Sequence, residues 1–394
     1  MTNGNDNLLD ELWQHDAVVF TADLEIANGR YIQPTGFPDI GAALYRDAQG
    51  QRWCLVESEQ SMTNRLEAVS MKSPGIWVDD LKGLPVLAVR SPEESLLATN
   101  LTEPHRIASS YVLEGSLDGR RRLIDEVQDT IGLTNDGANW PLDRRKDLER
   151  LVFATDPSAL LHGFQFVQWT FIGLRQARLL HARLEAELAE EEPEVHYGMV
   201  KVDVIEPEHR GQAREKTNKG QSLAAKSRIV PKRIVASFEL DLIGLRNLDL
   251  DDDEKERTEK QKFLLGLALW KIGAFLADRP AFDARSRSTG PALRLRTDCR
   301  LRYASLSWAP TADAGKAKGV KLDELTKSVK PPDFRSLLQE YLDLPDSSKA
   351  PPGFTYEGPV VWLTYEPQRP KGTPSEPAGV ADEDESSPEG ESGK

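Results

Sequence analysis

The sequence predicts an α+β fold with an antiparallel sheet, because strand-type and helix-type segments intermix along the chain without a regular βα repeat. Val18, Phe20, Ala22, Leu24 and Ile26 alternate with Val19, Thr21, Asp23 and Glu25, the period of two that marks a half-buried strand. Residues 262–277, in contrast, set Leu264, Leu267, Lys271 and Ala274 at helical spacing. The chain carries no internal repeat.

Taken in order, residues 18–26 form the first strand. The stretch QPTGFPDIG at 33–41 follows; its two prolines fix φ and its two glycines permit positive φ, so the loop is shaped rather than floppy. Residues 52–56 form the next strand and 59–71 a helix with Ser58 as N-cap. On that helix Met62, Leu66 and Val69 share one face, Gln60, Asn64 and Glu67 lie opposite, and Ser61 and Arg65 sit on the flank. Residues 160–169 read as a buried strand and 174–192 as a helix with an acidic end. Ala236, Phe238, Leu240 and Leu242 alternate with polar residues, which predicts another strand. In the last strand Leu293, Leu295, Thr297, Cys299 and Leu301 face one way and Arg294, Arg296, Asp298, Arg300 and Arg302 the other, so four arginines line one side. The tail from about residue 368 is rich in Pro, Ser, Gly and acids, a composition that predicts disorder. The chain thus divides into an N-terminal arm, 1–16, a body, 17–367, and an acidic tail, 368–394.

At 394 residues with 39% apolar content the chain can bury a large core. No apolar run approaches the roughly 20 residues of a bilayer helix, and MTNGNDNLLDEL lacks the regions of a signal peptide, which predicts no membrane partner. Its two cysteines, Cys54 and Cys299, give neither a disulfide framework nor a metal pair; a reducing cytoplasm fits. The net charge of −14 argues at first against nucleic acid. Its distribution reverses that: residues 185–194, 249–259 and 366–394 together carry −16, and residues 209–233 hold eight Lys or Arg against one acid. A local basic footprint survives the acidic total.

No GxGxxG, GxxxxGK[ST], HExxH or GxSxG occurs, and nothing predicts a cofactor or a bound metal. Asp156, Ser158 and His162 lie close in sequence, yet a triad needs convergence that spacing cannot supply; the expectation is a DPS turn and a strand histidine with a local partner. Asp251, Asp252, Asp253 and Glu254 lack EF-hand spacing and read as a solvated loop or helix start. The start of the helix at Glu59 offers free N–H groups near Gln60, Ser61, Asn64 and Arg65, an arrangement suited to a phosphate; a merely wet helix face is the plainer alternative. The arginine row demands acids or phosphates to balance it. Residues 209–233 read as a basic loop or hairpin.

GRYIQPTGFPDIGAALY followed by LVESEQSMTNRLEA resembles the CRISPR-associated RAMP backbone subunit of type I-G effector complexes, formerly type I-U. The similarity continues through RIASSYVL, DPSALLHGFQF, GMVKVDVIEP, IVASFELDL and LRLRTDCRL, covering roughly residues 17–303. It implies a modified RRM-like, ferredoxin-like palm with inserted finger and thumb elements, the thumb falling near 196–233. It further implies a non-catalytic subunit whose copies stack head to tail along the spacer part of a crRNA. Bases left free would pair with a target DNA strand, beside a large subunit and a crRNA-end-binding subunit. Carried onto this chain, the implied RNA contacts are Arg30, Gln33, Thr35, Gly36 and Phe37 in the loop, and Gln60, Ser61, Asn64 and Arg65 in the helix. Lys201 is a weaker candidate, and Arg214, Lys216 and Lys219 fall in the basic segment. Arg65 would reach the phosphate at the helix start, unless it pairs with Glu67 or another acid at the core edge. A second implied function is a metal-dependent ribonuclease, since related type III subunits cut target RNA with an aspartate in the loop after the first strand, where this chain has Asp39.

Overall fold

A computed structural model of the chain describes residues 4–37, 41–117, 119, 121–133, 140–169, 174–189, 195–197, 201–204, 220–223, 226–283, 288–295, 299–327, 329–342 and 354–366. Its principal elements are α1 (Gly4–Leu12), β1 (Ala17–Asn28), β2 (Leu44–Arg46), β3 (Arg52–Glu57), α2 (Glu59–Ala68), α3 (Pro157–His162), β4 (Leu180–Glu187), β5 (Arg233–Asp241), α4 (Glu254–Leu276), β6 (Pro280–Asp283), β7 (Ser288–Pro291), β8 (Arg300–Pro310) and β9 (Lys318–Gly319). Seven strands form one sheet in the order β9-β8-β1-β5-β4-β3-β2, and every neighbouring pair in it is antiparallel. Within it the path β1-α2-β4-β5-α4-β8, with β8, β1, β5 and β4 side by side, is the βαββαβ ferredoxin-like arrangement. The β2–β3 hairpin is an insertion that widens the sheet beyond β4. A smaller sheet pairs Val86–Arg90 with Leu96–Thr99 and, in parallel, with Val360–Thr364.

Alternation decides which sheet face is covered. Val18, Phe20, Ala22 and Leu24 of β1 and Ala236, Phe238 and Leu240 of β5 are buried under α2 and α4. From Phe263 to Leu276 all but one residue of α4, Gly266, is buried, so the helix is apolar all round and runs through the core. Asp253 starts it, accepting from the backbone N–H groups of Lys255 and Glu256 at 3.0 Å each. The helix therefore begins at Glu254, earlier than periodicity alone implies. Among the described residues, no helix is long and apolar enough to cross a membrane.

Several expectations are corrected. The expected helix over 174–192 is a strand in its described part, 174–189: β4 spans Leu180–Glu187, with Leu180, Ala182, Leu184 and Ala186 buried in strict alternation. The Leu, Ala and Glu content that suggests a helix is overridden by pairing to β5 and β3. Residues 160–169 are not a strand. Pro157 opens α3, whose six residues are all buried and so show no period, Gly163 turns the chain at φ 78°, and only Phe164–Gln165 is extended. The helix at Glu59 stops at Ala68, and Met71 begins a short ribbon paired to Trp77. Within the N-terminal arm, α1 buries Leu8 and Leu12 in the core. The arginine row is not one strand: Leu295 N–H donates to Cys299 O and Leu301 N–H to Leu293 O, both at 2.9 Å, which folds the segment back and sets Arg294 across from Arg300. Arg300 and Arg302 pair with Asp278 and Glu25, not with the acidic helices. Residues 296–298 and the tail from 367 lie outside the described residues.

A buried polar chain joins α2, α3 and α4. Arg106, only 8% exposed and held at φ 54°, donates to Glu67 of α2 at 2.5 Å and to the Gly163 carbonyl at 3.1 Å. Next to it the Ile107 N–H donates to Asp156 at 3.1 Å. Lys271 of α4, fully buried, donates to Ser158 Oγ at 2.5 Å and to His162 Nε2 at 2.9 Å. The histidine is thus a helical residue whose partner is 109 positions away. Burial, with Lys271 next, pushes its pKa well below the usual value, burial lowers Lys271 to about 8, and burial raises Asp156 to about 6.

Two of these titrations oppose each other. Below about pH 6.5 the unfolded state protonates His162 and the folded state does not, so stability falls as pH falls. Between about pH 6 and 4 the folded state protonates Asp156 and the unfolded state does not, so stability rises as pH falls. Asp156→Asn keeps an acceptor for Ile107 but removes the second effect. Between pH 6.5 and 4 its unfolding free energy should drop more steeply than wild type, by on the order of 2–3 kcal/mol over the window. Parallel curves for the two proteins would contradict this assignment.

Candidate nucleic-acid interface

The loop after β1 is bolted down at several points. Gly29 leaves the strand at φ +95°, where a side chain would be strained and a Cβ would lie 3.4 Å from Cys299 Cα. Arg228 donates to the Tyr31 hydroxyl at 2.5 Å and lies 4.4 Å from its ring centroid. Ile32 exchanges backbone bonds with Ile229 at 2.8 and 3.0 Å, and Thr35 N–H donates to Val56 O at 3.0 Å. Gly36–Phe37 pairs with Gly41–Ala42. These anchors fix the described part of the loop on either side of residues 38–40, which lie outside the described residues. Its anchor at Val56 lies two residues before Ser58, whose side chain accepts from Ser61 N–H at 3.3 Å and caps α2. Loop and helix start are therefore brought together.

Of the residues singled out, Arg30, Gln60 and Asn64 are exposed and have no side-chain partner among the described residues. Gln33 and Thr35 are half-buried. Ser61 and Arg65 are turned inward. Ser61 Oγ donates to Glu57, and Arg65 donates to Glu57 at 2.6 Å and to the carbonyls of Ala292 and Arg294 at 3.0 Å each. Glu57 is 2% exposed and the Arg65 side chain 19%. Arg65 is thus paired with an acid at the core edge, but with Glu57 and not Glu67. The start of α2 already holds a carboxylate too. Burial would raise Glu59, but His181 and Arg178 hold it below its usual range, Arg178 at 2.9 Å and His181 at 3.2 Å.

Lys201 lies on the strand Lys201–Val204, paired with Gly220–Leu223; its side chain and that of Phe37 lie outside the described residues, as do Asp39, Arg214, Lys216 and Lys219, and Gly36 is placed by its backbone pairing to Ala42. At the end of the basic segment Lys232 pairs with Glu187 at 2.6 Å and Arg233 with Asp23 at 2.6 Å. Asp156, Ser158 and His162 form no triad, since Ser158 and His162 both face Lys271 and Asp156 faces a backbone N–H. The acidic run is a helix start: Asp251 pairs with Lys260 at 2.6 Å and Asp252 with Arg150 at 2.8 Å. Among the described residues no group of His, Cys, Asp and Glu could hold a metal ion.

Two residues central to the geometry, Glu57 and Arg106, were not anticipated. Ser61 and Arg65 lie one turn apart on α2, and Glu57, the last residue of β3, directly precedes the Ser58 cap, so only the Ser61–Arg65 half of the clamp has a helical spacing to read. Nothing local could have signalled Arg106, whose role depends on a left-handed backbone and partners 39 and 57 positions away. Beside the clamp, α2, residues 101–104 and the β6–β7 hairpin enclose a cleft of about 460 Å³, lined among others by Asn64, Phe282, Gly290 and Arg294.

The family described as CRISPR-associated protein GSU0053 matches residues 18–191, which contain the loop, α2 and the buried polar chain up to α3. Among curated proteins none matches. The chain is similar to a solved structure of Thermofilum pendens Csc2, at 12% identity over 82% of this chain and 85% of that one, with a TM-score of 0.29. It is likewise similar to a chain of a CRISPR RNA-guided surveillance complex in a pre-nicking state, at 11% identity over 74% and 75%, again with a TM-score of 0.29. Superposition that loose leaves the fold assignment to the strand order given above.

The clamp yields a stability prediction. Arg65→Ala takes the Arg65 guanidinium away from the buried Glu57 carboxylate, which should cost about 3 kcal/mol, at the lower end for a broken buried pair because the arginine is partly exposed. Arg65→Lys keeps the charge but cannot span Glu57 and two carbonyls, so its melting temperature should fall between. A melting temperature unchanged in Arg65→Ala would contradict the clamp.

Proposed function

We propose that the chain is a non-catalytic crRNA-binding backbone subunit of a type I-G CRISPR effector complex in the cytoplasm. Copies stack head to tail along the guide and leave its bases free for a target DNA strand. The observation that carries this reading is the set of exposed groups with no side-chain partner among the described residues at the rim of the anchored loop and α2: Arg30, Gln60 and Asn64, within the segment similar to CRISPR-associated proteins. A guanidinium and two amides on a fixed backbone can hold phosphates or riboses without reading a base. The similarity of TGFPD and SEQSMTNR to backbone-subunit segments adds support.

Single-stranded RNA should bind with little sequence preference and an affinity that falls as salt rises. Arg30→Ala should reduce the slope of log affinity against log salt by about 0.7 per bound protomer. Gln60→Ala and Asn64→Ala should each weaken binding by about 0.5–1.5 kcal/mol without moving the melting temperature. Affinity that stays flat across salt, or equal in wild type and the triple variant, would overturn the reading. Cleavage of complementary RNA with Mg²⁺ that vanishes in Asp39→Ala would replace it with the ribonuclease.

A further inference from the structure

Beside α2 lies the cleft of about 460 Å³, whose far wall is the β6–β7 hairpin. Its floor is apolar, with Phe282 and Leu295 each 5% exposed and Met71 4%. At its rim stand two exposed polar side chains with no partner among the described residues, Asn64 on α2 and Arg294 on the segment that Arg65 clamps. The clamp fixes their spacing, because the Arg294 carbonyl is held by the arginine one residue after Asn64. The lining also carries Glu57 and Glu67, each in an ion pair with an arginine, and Glu103, which accepts from Ser109; the volume, the apolar floor and the amide and guanidinium of Asn64 and Arg294 fit a single nucleotide, because a base is an apolar plate with polar edges and its phosphate is an anion.

We propose that the cleft holds one nucleotide of the bound single strand, its base on the apolar floor by Phe282 and Leu295, its phosphate at Arg294, and its ribose at Asn64. This rests on the RNA-binding reading and adds a discrete subsite to it. Every contact to the phosphates outside the cleft is sequence-tolerant, and an enclosed base would give each protomer a fixed register along the strand.

Gly290 offers a clean probe: it faces the cleft, its φ is ordinary, and a Cβ there meets nothing within 4 Å. Gly290→Phe should fill the cleft and still fold; Thr289→Trp, on an exposed neighbouring position, is the second filling variant if the first melts early. The probe is single-stranded RNA carrying one 2-aminopurine, moved one position at a time. Wild type should show one position whose fluorescence differs sharply from its neighbours, and both filling variants should lose that signal while RNA stays bound. Arg294→Ala should weaken RNA binding about tenfold. If RNA binds but the signal profile is the same in wild type and filled variants, the subsite is overturned and the RNA reading stands. If wild type binds no RNA, both fall.

Discussion

Ionic groups taken out of water must find partners, and that requirement organises this molecule. Breaking a buried pair costs roughly 3–5 kcal/mol, whereas an exposed pair is worth about 0–1 kcal/mol. By that measure Glu57–Arg65 and Glu67–Arg106, whose side chains are at most 19% exposed, outweigh surface pairs such as Arg122–Glu114 and Lys72–Asp79. The two buried pairs leave α2 in different directions, one to residues 292–294 and the other to Gly163 beyond α3. Lys271 ties α4 to the same place. The C-terminal half of the helix that flanks the candidate interface is therefore held on its inner face through Arg65 and Glu67, and its outer residues stand on a rigid base.

This divides the residues of one short motif into two kinds. In SEQSMTNRLEA the inward residues Ser61, Arg65 and Glu67 bond to the protein, while Gln60 and Asn64 have no side-chain partner among the described residues. Two other segments that carry the family resemblance, RIASSYVL and DPSALLHG, supply Arg106, Asp156, Ser158 and His162 to the buried chain. Resemblance alone does not separate the residues that hold the framework from those that could touch a ligand. Burial does.

Much of the fold was legible because its signals are local. Strand β1 announces itself by period, α2 by its Ser58 cap, and the loop by where its prolines and glycines fall. The misreadings share a physical cause. In β4, Leu, Ala and Glu favour a helix, and only pairing to neighbours on both sides makes it a strand. Helix α3 is buried all round, so it has no amphipathic period to read. The arginine row has a perfect period of two, yet Leu295 and Leu301 bond back across it and turn it into a corner. For the site, the exposed members could be named from the sequence. The clamp could not, because its acceptors include carbonyls of residues 292 and 294, more than 220 positions from Arg65.

The central claim is that the exposed rim of loop and α2, fixed by the buried pairs, is where a single strand lies. Hydrogen–deuterium exchange of the intact chain with and without single-stranded RNA tests it most directly. The account predicts new protection at residues 29–37 and 59–64 and little change along α3 and α4, which are already closed. Protection confined to other surfaces, with the loop and the start of α2 exchanging as in the free protein, would contradict it.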